Sequence, residues 1–251
     1  GKLTTVISPG GDDEAFSMAI QPDGKIVVAG WSNDGTGLYD FALARYNTSG
    51  ALDTTFSTDG KQTTDFGSSD DNAMSVAIQS DGKIVAAGYS DKGVGYYIFA
   101  LARYNTNGAL DSTFSADGMQ TTVFGINDDG ALSVVIQPDG KIIVAGYSDT
   151  SGSYKYEFAL ARYDSSGALD TSFSSDGKLT TVIGTGGDDK AFSTVMQPDG
   201  KILAAGISSN GGVYDFAGGR YISGLNTGVG DFSVSGNTML IYPNPIEQSA
   251  T

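Results

Sequence analysis

Eight aspartates stand in pairs along this chain, at Asp12 and Asp13, Asp70 and Asp71, Asp128 and Asp129, and Asp188 and Asp189. If the pairs ring one mouth of a channel, their charges repel, and a hard cation relieves that repulsion. Calcium, which takes about six to eight oxygen ligands, is the expected ion. The plainer alternative is that each Asp caps a turn by accepting backbone N–H bonds and faces solvent. A second set is aromatic: Trp31, Tyr39, Tyr89, Tyr96, Tyr97, Tyr147, Tyr154, Tyr156 and Tyr214 fall in segments that differ from one another in sequence. Rings beside carboxylates grip neutral sugars or cations, and they serve equally as hairpin packing or a subunit contact. The third set is ionic. All four arginines occupy one recurring position, Arg45, Arg103, Arg162 and Arg220, and in three cases an Asp follows eight residues later, at Asp53, Asp111 and Asp170. A bidentate ion pair bracing each unit is the expected role.

What is missing narrows the chemistry further. The 251 residues include no histidine and no cysteine. That removes Ser-His-Asp and Cys-His nucleophile pairs, thiolate sites and ordinary zinc sites. Glycoside hydrolysis needs only two carboxylates, but the acids here recur with the repeat, whereas a catalytic pair normally breaks symmetry. No enzyme activity is expected. Acidic residues outnumber basic ones 29 to 14, a net charge of −15, which disfavours nucleic acid and anionic membranes. There is no apolar run long enough to span a membrane, and the opening GKLTTVIS lacks a leader's apolar core.

The elements that must position these residues are four near-identical hairpins, IQPDGKIVVAG (20–30), IQSDGKIVAAG (78–88), IQPDGKIIVAG (136–146) and MQPDGKILAAG (196–206). Asp-Gly between two apolar runs is a hairpin signal. Their glycines Gly24, Gly82, Gly140 and Gly200 lie 58, 58 and 60 residues apart. In the strand that precedes each hairpin, strict alternation puts Phe16, Met18 and Ile20 on one face, opposite Ala15, Ser17 and Ala19. The strand after the turn, KIVVAG, is apolar on both faces and so buried from both sides. A third strand follows as FALARY (41–46, 99–104 and 158–163) or FAGGRY (216–221), and a threonine-rich fourth as KQTTDF (61–66), MQTTVF (119–124) or KLTTVI (178–183). Four antiparallel strands repeated in this way make an all-β fold, a four-bladed β-propeller. The blades run about 8–66, 67–124, 125–183 and 184–224.

The ends matter. The fourth unit lacks its outer strand, while residues 1–7 copy the sequence of one (GKLTTVI, against GKLTTVI at 177–183). An N-terminal strand that completes the last blade is therefore expected, pairing beside 216–221 and removing an exposed sheet edge. The same strand can instead be donated to a second molecule.

The blocks IQPDGKIVVAG and FALARYNTSGALDTTFSTDGK resemble the delta-60 repeat of large secreted and surface-associated bacterial proteins, over residues 1 to about 224. That resemblance implies an extracellular β-propeller with no established activity. Residues 225–251 comprise a Gly-rich linker and a short strand segment, whose IYPNP resembles the start of a type IX secretion C-terminal sorting domain. The expectation is a non-enzymatic structural or adhesive module outside the cell or on its outer surface. Its partner is another copy of itself, joined through the termini into fibres. The alternative is a module that binds an extracellular glycan or calcium on the aromatic and acidic loop face.

Overall fold

The computed structural model describes residues 1–222, apart from positions 68, 69, 92, 94, 186 and 211. The linker and sorting-domain resemblance at 225–251 lie outside the described residues. Fifteen strands and no helix make up the rest. Three sheets have four strands each: β1 (Asp13–Ile20) to β4 (Lys61–Thr64), β5 (Asp71–Ile78) to β8 (Met119–Thr122), and β9 (Asp129–Ile136) to β12 (Lys178–Thr181). The fourth has three strands, β13 (Asp189–Met196), β14 (Ile202–Asn210) and β15 (Val213–Tyr221). All pairings within the sheets are antiparallel and between consecutive strands. Each sheet is one blade. The first strands of successive blades neighbour one another, β1 with β5, β5 with β9 and β9 with β13, which places them nearest the axis.

The hairpin turns follow from Asp-Gly. In the first, the Gln21 amide donates to the Lys25 carbonyl and the Gly24 amide to the Gln21 carbonyl. Gly24 sits at φ +83°, a conformation that costs little only where there is no Cβ. The turn is a tight one closed by a left-handed glycine.

Strict alternation in the first strand is not what the structure has. Each first strand carries a β-bulge, between Ala15 and Ser17 in β1, Ala73 and Ser75 in β5, and Ala191 and Ser193 in β13. In blade 3 the register shifts at the same place, between Ala145 and Gly146 of β10. Phe16 is thus the extra residue of a bulge and does not share a face with Met18 in simple alternation. The bulge explains the glycine that ends each VVAG-like run. A Cβ on Gly30, Gly88, Gly146 or Gly206 would stand 1.8 Å from the carbonyl oxygen of Glu14, Asn72, Gly130 or Lys190.

Blades stack through apolar faces. Val27, Ala29, Phe41 and Leu43 of blade 1 pack on Ala73, Val76, Ile84, Ala86 and Tyr104 of blade 2. The same positions recur between blades 2 and 3, and between blades 3 and 4. Large side chains on one face meet alanines on the next, so the sheets approach closely. Each buried Phe or Leu contributes about 1.5–3 kcal/mol.

The expected completion of the last blade is half realised. Residues 1–7 hold an outer-strand place, but against blade 1 and not beside β15. Tyr46 donates to Thr5 Oγ1 (2.8 Å), as the Tyr163 hydroxyl does to Thr122, while Tyr104 pairs with Thr64. The Ile7 amide donates to Asp13 Oδ2, as the Phe66 amide does to Asp71 and that of Phe124 to Asp129. Lys61 Nζ reaches the Val6 and Ile7 carbonyls, as Lys178 Nζ reaches Val123. The physical reason is proximity: β13 and β1 make no contact comparable with the three inter-blade junctions. Blade 1 is therefore the surface within reach of the N-terminal segment, and among the described residues the outer edge of β15 has no strand beside it.

Candidate functional site

The arginines end the third strand of each blade, and the Asp eight residues on returns to them through the loop that follows. Nε of Arg45, Arg103 and Arg162 lies 2.9, 2.8 and 2.8 Å from Oδ2 of Asp53, Asp111 and Asp170. A lysine from the hairpin turn shares each carboxylate: Lys25 at 3.1 Å, Lys83 at 3.1 Å and Lys141 at 2.9 Å. Thr55, Thr113 and Ser172 donate both backbone amide and hydroxyl to the other oxygen of the same Asp. The guanidinium lies over Phe56, Phe114 or Phe173 at 4.7, 4.7 and 5.0 Å.

The cluster also reaches across the junction. Arg45 donates to the Thr106 carbonyl and Arg103 to that of Ser165 (2.6 Å), each in the next blade. Burial acts to raise the pKa of Asp111, but hydrogen bonds from Thr113 and Lys83 and the charge of Arg103 prevail and hold it at about 2. Burial opposes the same set of partners at Asp53 and Asp170, and their carboxyls too are held far below the usual carboxylate range. The charges here are consumed in bracing the fold.

The aspartate pairs divide their work. The second member is a cap: Asp13, Asp71, Asp129 and Asp189 accept the amide of Ile7, Phe66, Phe124 and Ile183, at the end of the outer strand that precedes them. The first member ties blades together, with Asp70, Asp128 and Asp188 accepting the amides of Tyr39, Tyr97 and Tyr156 from the blade before. Asp12 contributes its backbone carbonyl, which accepts from the Asn33 amide. The one carboxylate trio drawn together among the described residues is Asp40, Asp65 and Asp71, with oxygens within 4.8 Å of one another. Of these only Asp71 belongs to the eight singled out from the sequence. At the matching positions blade 2 has Ile98 and Val123 and blade 3 has Glu157 and Val182, while blade 4 has Asp215 at the position of Asp40, so Asp65 is what sets blade 1 apart. The trio breaks the symmetry of the repeat. Burial, with the charges of Asp65 and Asp40 added to it, lifts Asp71 to about 6 against hydrogen bonds from Ser90 and the Phe66 amide.

The aromatics pack largely on one another. Trp31 meets Tyr39 edge-on at 4.4 Å, Tyr89 meets Tyr97 at 4.8 Å and Tyr147 meets Tyr156 at 4.8 Å. Lys190 lies over both Tyr147 and Tyr156, at 4.4 and 4.1 Å from the ring centres. At that junction the chain's own cation fills the aromatic platform. Tyr96, Tyr154 and Tyr214 remain exposed. Asp65 could have been found by setting the outer strands side by side, since the others carry valine there (Val123, Val182 and Val6), whereas Asp40 gives no such signal because Glu157 and Asp215 are acids at its position. Lys190 could have been found likewise, since the other blades have Glu14, Asn72 and Gly130 there.

No curated protein sequence matches the chain. Among solved structures, a protein of unknown function from Dyadobacter fermentans is similar at 12% identity, with a TM-score of 0.51 over 82% of this chain and 60% of that one. A protein of unknown function from Bacteroides caccae is similar at 11% identity, TM-score 0.45, over 78% of this chain and 56% of that one. A catalytically inactive virginiamycin B lyase from Staphylococcus aureus, solved with quinupristin, is similar at 10% identity, TM-score 0.46, over 82% and 52%. The chain thus spans between half and two thirds of the length of these structures. Residues 21–56, 79–114, 137–173 and 197–217 each match the β-propeller domain of unknown function DUF5122. These four segments fall on the four blades and cover just over half of the sequence, and the chain therefore belongs to the DUF5122 β-propeller family.

Proposed function

We propose that the chain is a non-enzymatic structural or adhesive module of the cell exterior, one that assembles with itself through its terminal strands. The observation that carries this reading is the fate of its charges. The Arg, Lys and Asp cluster that could do chemistry recurs in three blades with its arginines buried and ion-paired, and in two of them the guanidinium also donates across the junction to the next blade. No histidine or cysteine is present to do other work. Antibody labelling of intact producing cells is the test: signal before permeabilisation, stripped by external protease, is the expected result. Signal that needs permeabilised cells sinks the surface role, and turnover of ester, lactone or glycoside substrates by purified protein sinks the non-enzymatic one.

A second reading is glycan or calcium binding on the loop face. It draws support from the exposed rings of Tyr96, Tyr154 and Tyr214 and from the mutual repulsion of Asp40, Asp65 and Asp71, which calcium would relieve. Calorimetry with calcium and with common polysaccharides tests it, and heats no larger than dilution remove it.

A further inference from the structure

Three blade junctions in this chain are built from the same positions, and each position has a fourth instance at the two ends of the arc. Phe41, Phe99 and Phe158 are fully buried where one blade meets the next, whereas Phe216, their equivalent in blade 4, is 98% exposed. On the opposite side, Val76, Val134 and Thr194 are buried against the preceding blade, whereas Met18, their equivalent in blade 1, is 70% exposed. Ile20 is exposed beside Met18.

The polar contacts follow the same series. Ser17 Oγ accepts the Val76 amide, Ser75 Oγ the Val134 amide and Ser133 Oγ the Thr194 amide, at 3.1, 3.1 and 3.0 Å. The next members are Ser193 at one end and the Met18 amide at the other. Gln21 Nε2 donates to the Gly82 carbonyl and Gln79 Nε2 to that of Gly140. The last in that series is Gln197, for which the matching carbonyl is that of Gly24.

We propose that the exposed faces of blade 4 and blade 1 are the two halves of one more blade junction, and that a second copy of this chain fills it head to tail. The proposal rests on the self-assembly reading above and names the surfaces that carry it. The occupant is chosen by continuity: each open face reproduces, position by position, one side of an interface the chain already builds three times. Residues 1–7 strengthen the assignment. They sit on blade 1 as β4 sits on blade 2, through Thr5 to Tyr46 and Ile7 to Asp13. A blade docked in front of blade 1 meets them at its open edge. In the register of β3 with β4, where Phe41 faces Thr64 and Leu43 faces Gln62, the partner's third strand sets Phe216 opposite Thr5 and Gly218 opposite Leu3. Blade 4 of one copy thereby gains its fourth strand from the next copy. Repetition gives a closed ring where the rotation closes and a filament where it does not.

Because the chain has no cysteine, single thiols test this directly. Met18→Cys and Ser193→Cys chains are mixed and oxidised, with each variant alone as control. Covalent dimers in the mixture, several-fold above either variant alone, are expected. The double variant should give covalent multimers, whereas a bridge confined within one chain, with no dimers in the mixture, overturns the proposal in favour of self-closure. Absence of any bridge overturns it as well. So does a thiol at position 193 that resists a small maleimide in a monomer, because residues 223–251 would then be what covers the face. Phe216→Glu provides the second arm: its exposed side chain leaves the melting temperature of the monomer unchanged, and sedimentation should show association lost. Association that survives the substitution contradicts the proposal. These outcomes are independent of where cells display the protein, so failure here and failure of the surface role are told apart.

Discussion

Two aspartates in this chain respond to pH in opposite directions, and the reasons lie in their neighbours. Asp111 is depressed to about 2, since Thr113, Lys83 and Arg103 outweigh its burial. Its contribution to stability is complete above the unfolded carboxyl value, near 3.9, and is lost as pH falls through the folded one. Asp111→Asn leaves Arg103 and Lys83 facing a neutral amide in a buried site, so a loss of about 3–5 kcal/mol is expected at pH 7. Urea unfolding at pH 7 and at low pH checks this: the gap between variant and parent should shrink toward pH 2. Asp71 runs the other way. Its folded value, about 6, lies above the unfolded one, so between about pH 4 and 6 the native state binds more protons and stability falls as pH rises. Replacing Asp65 by Val, the residue that blades 2 and 3 carry there, removes one of the charges that raise it. The Asp65→Val chain should gain about 1 kcal/mol, under one pK unit's worth, at pH 7.5, and little at pH 4. An equal gain at both pH values would assign the effect to strand propensity instead.

Among the elements, the hairpins, the buried second strands and the FALARY strands could be read from the sequence because their signals are local: Asp-Gly turns, apolar runs and an Arg with an Asp eight residues away. The bulge in each first strand could not. Alternation in AFSMAIQ looks complete, and the extra residue is visible only as the glycine on the neighbouring strand that makes room for it. That glycine carries its own prediction. At Gly88 a Cβ would overlap the Asn72 carbonyl oxygen at 1.8 Å, a backbone atom that cannot rotate away. Gly88→Ala should therefore cost at least about 3 kcal/mol, the upper part of the overpacking range, measured as a shift in the urea midpoint with unchanged slope. A tolerated alanine would mean that the bulge is not fixed. The acidic trio escaped sequence reading for a related reason. Asp65 lies close to Asp71 in sequence, but Asp40 is on a different strand, and the trio is gathered only by the pairing of β3 with β4 together with the packing of β5 against β3.

At the scale of the whole molecule, the open question for sequence reading was where the head meets the tail. GKLTTVI identified residues 1–7 as an outer strand, but identity alone cannot say which blade they join, since the same residues fit either side of a junction. The structure puts them on blade 1 and leaves the four blades as an arc whose extensive inter-blade contacts, among the described residues, join sequence neighbours. Stability in such an array is a sum of blade terms and junction terms. Blades 2 and 3 have a junction on both sides, and their strands β6, β7, β10 and β11 are buried almost throughout. Among the described residues blade 4 has one extensive junction and three strands, with β15 exposed along its first half. Amide exchange of the monomer should thus be slowest in β6, β7, β10 and β11 and fastest in β13 to β15, with blade 1 between them because residues 1–7 cover part of its open side. A closed ring would make the four blades exchange alike. Raising the concentration of an associating chain should slow exchange in blades 1 and 4 and leave the two central blades as they were, since only the outer pair acquires a neighbour.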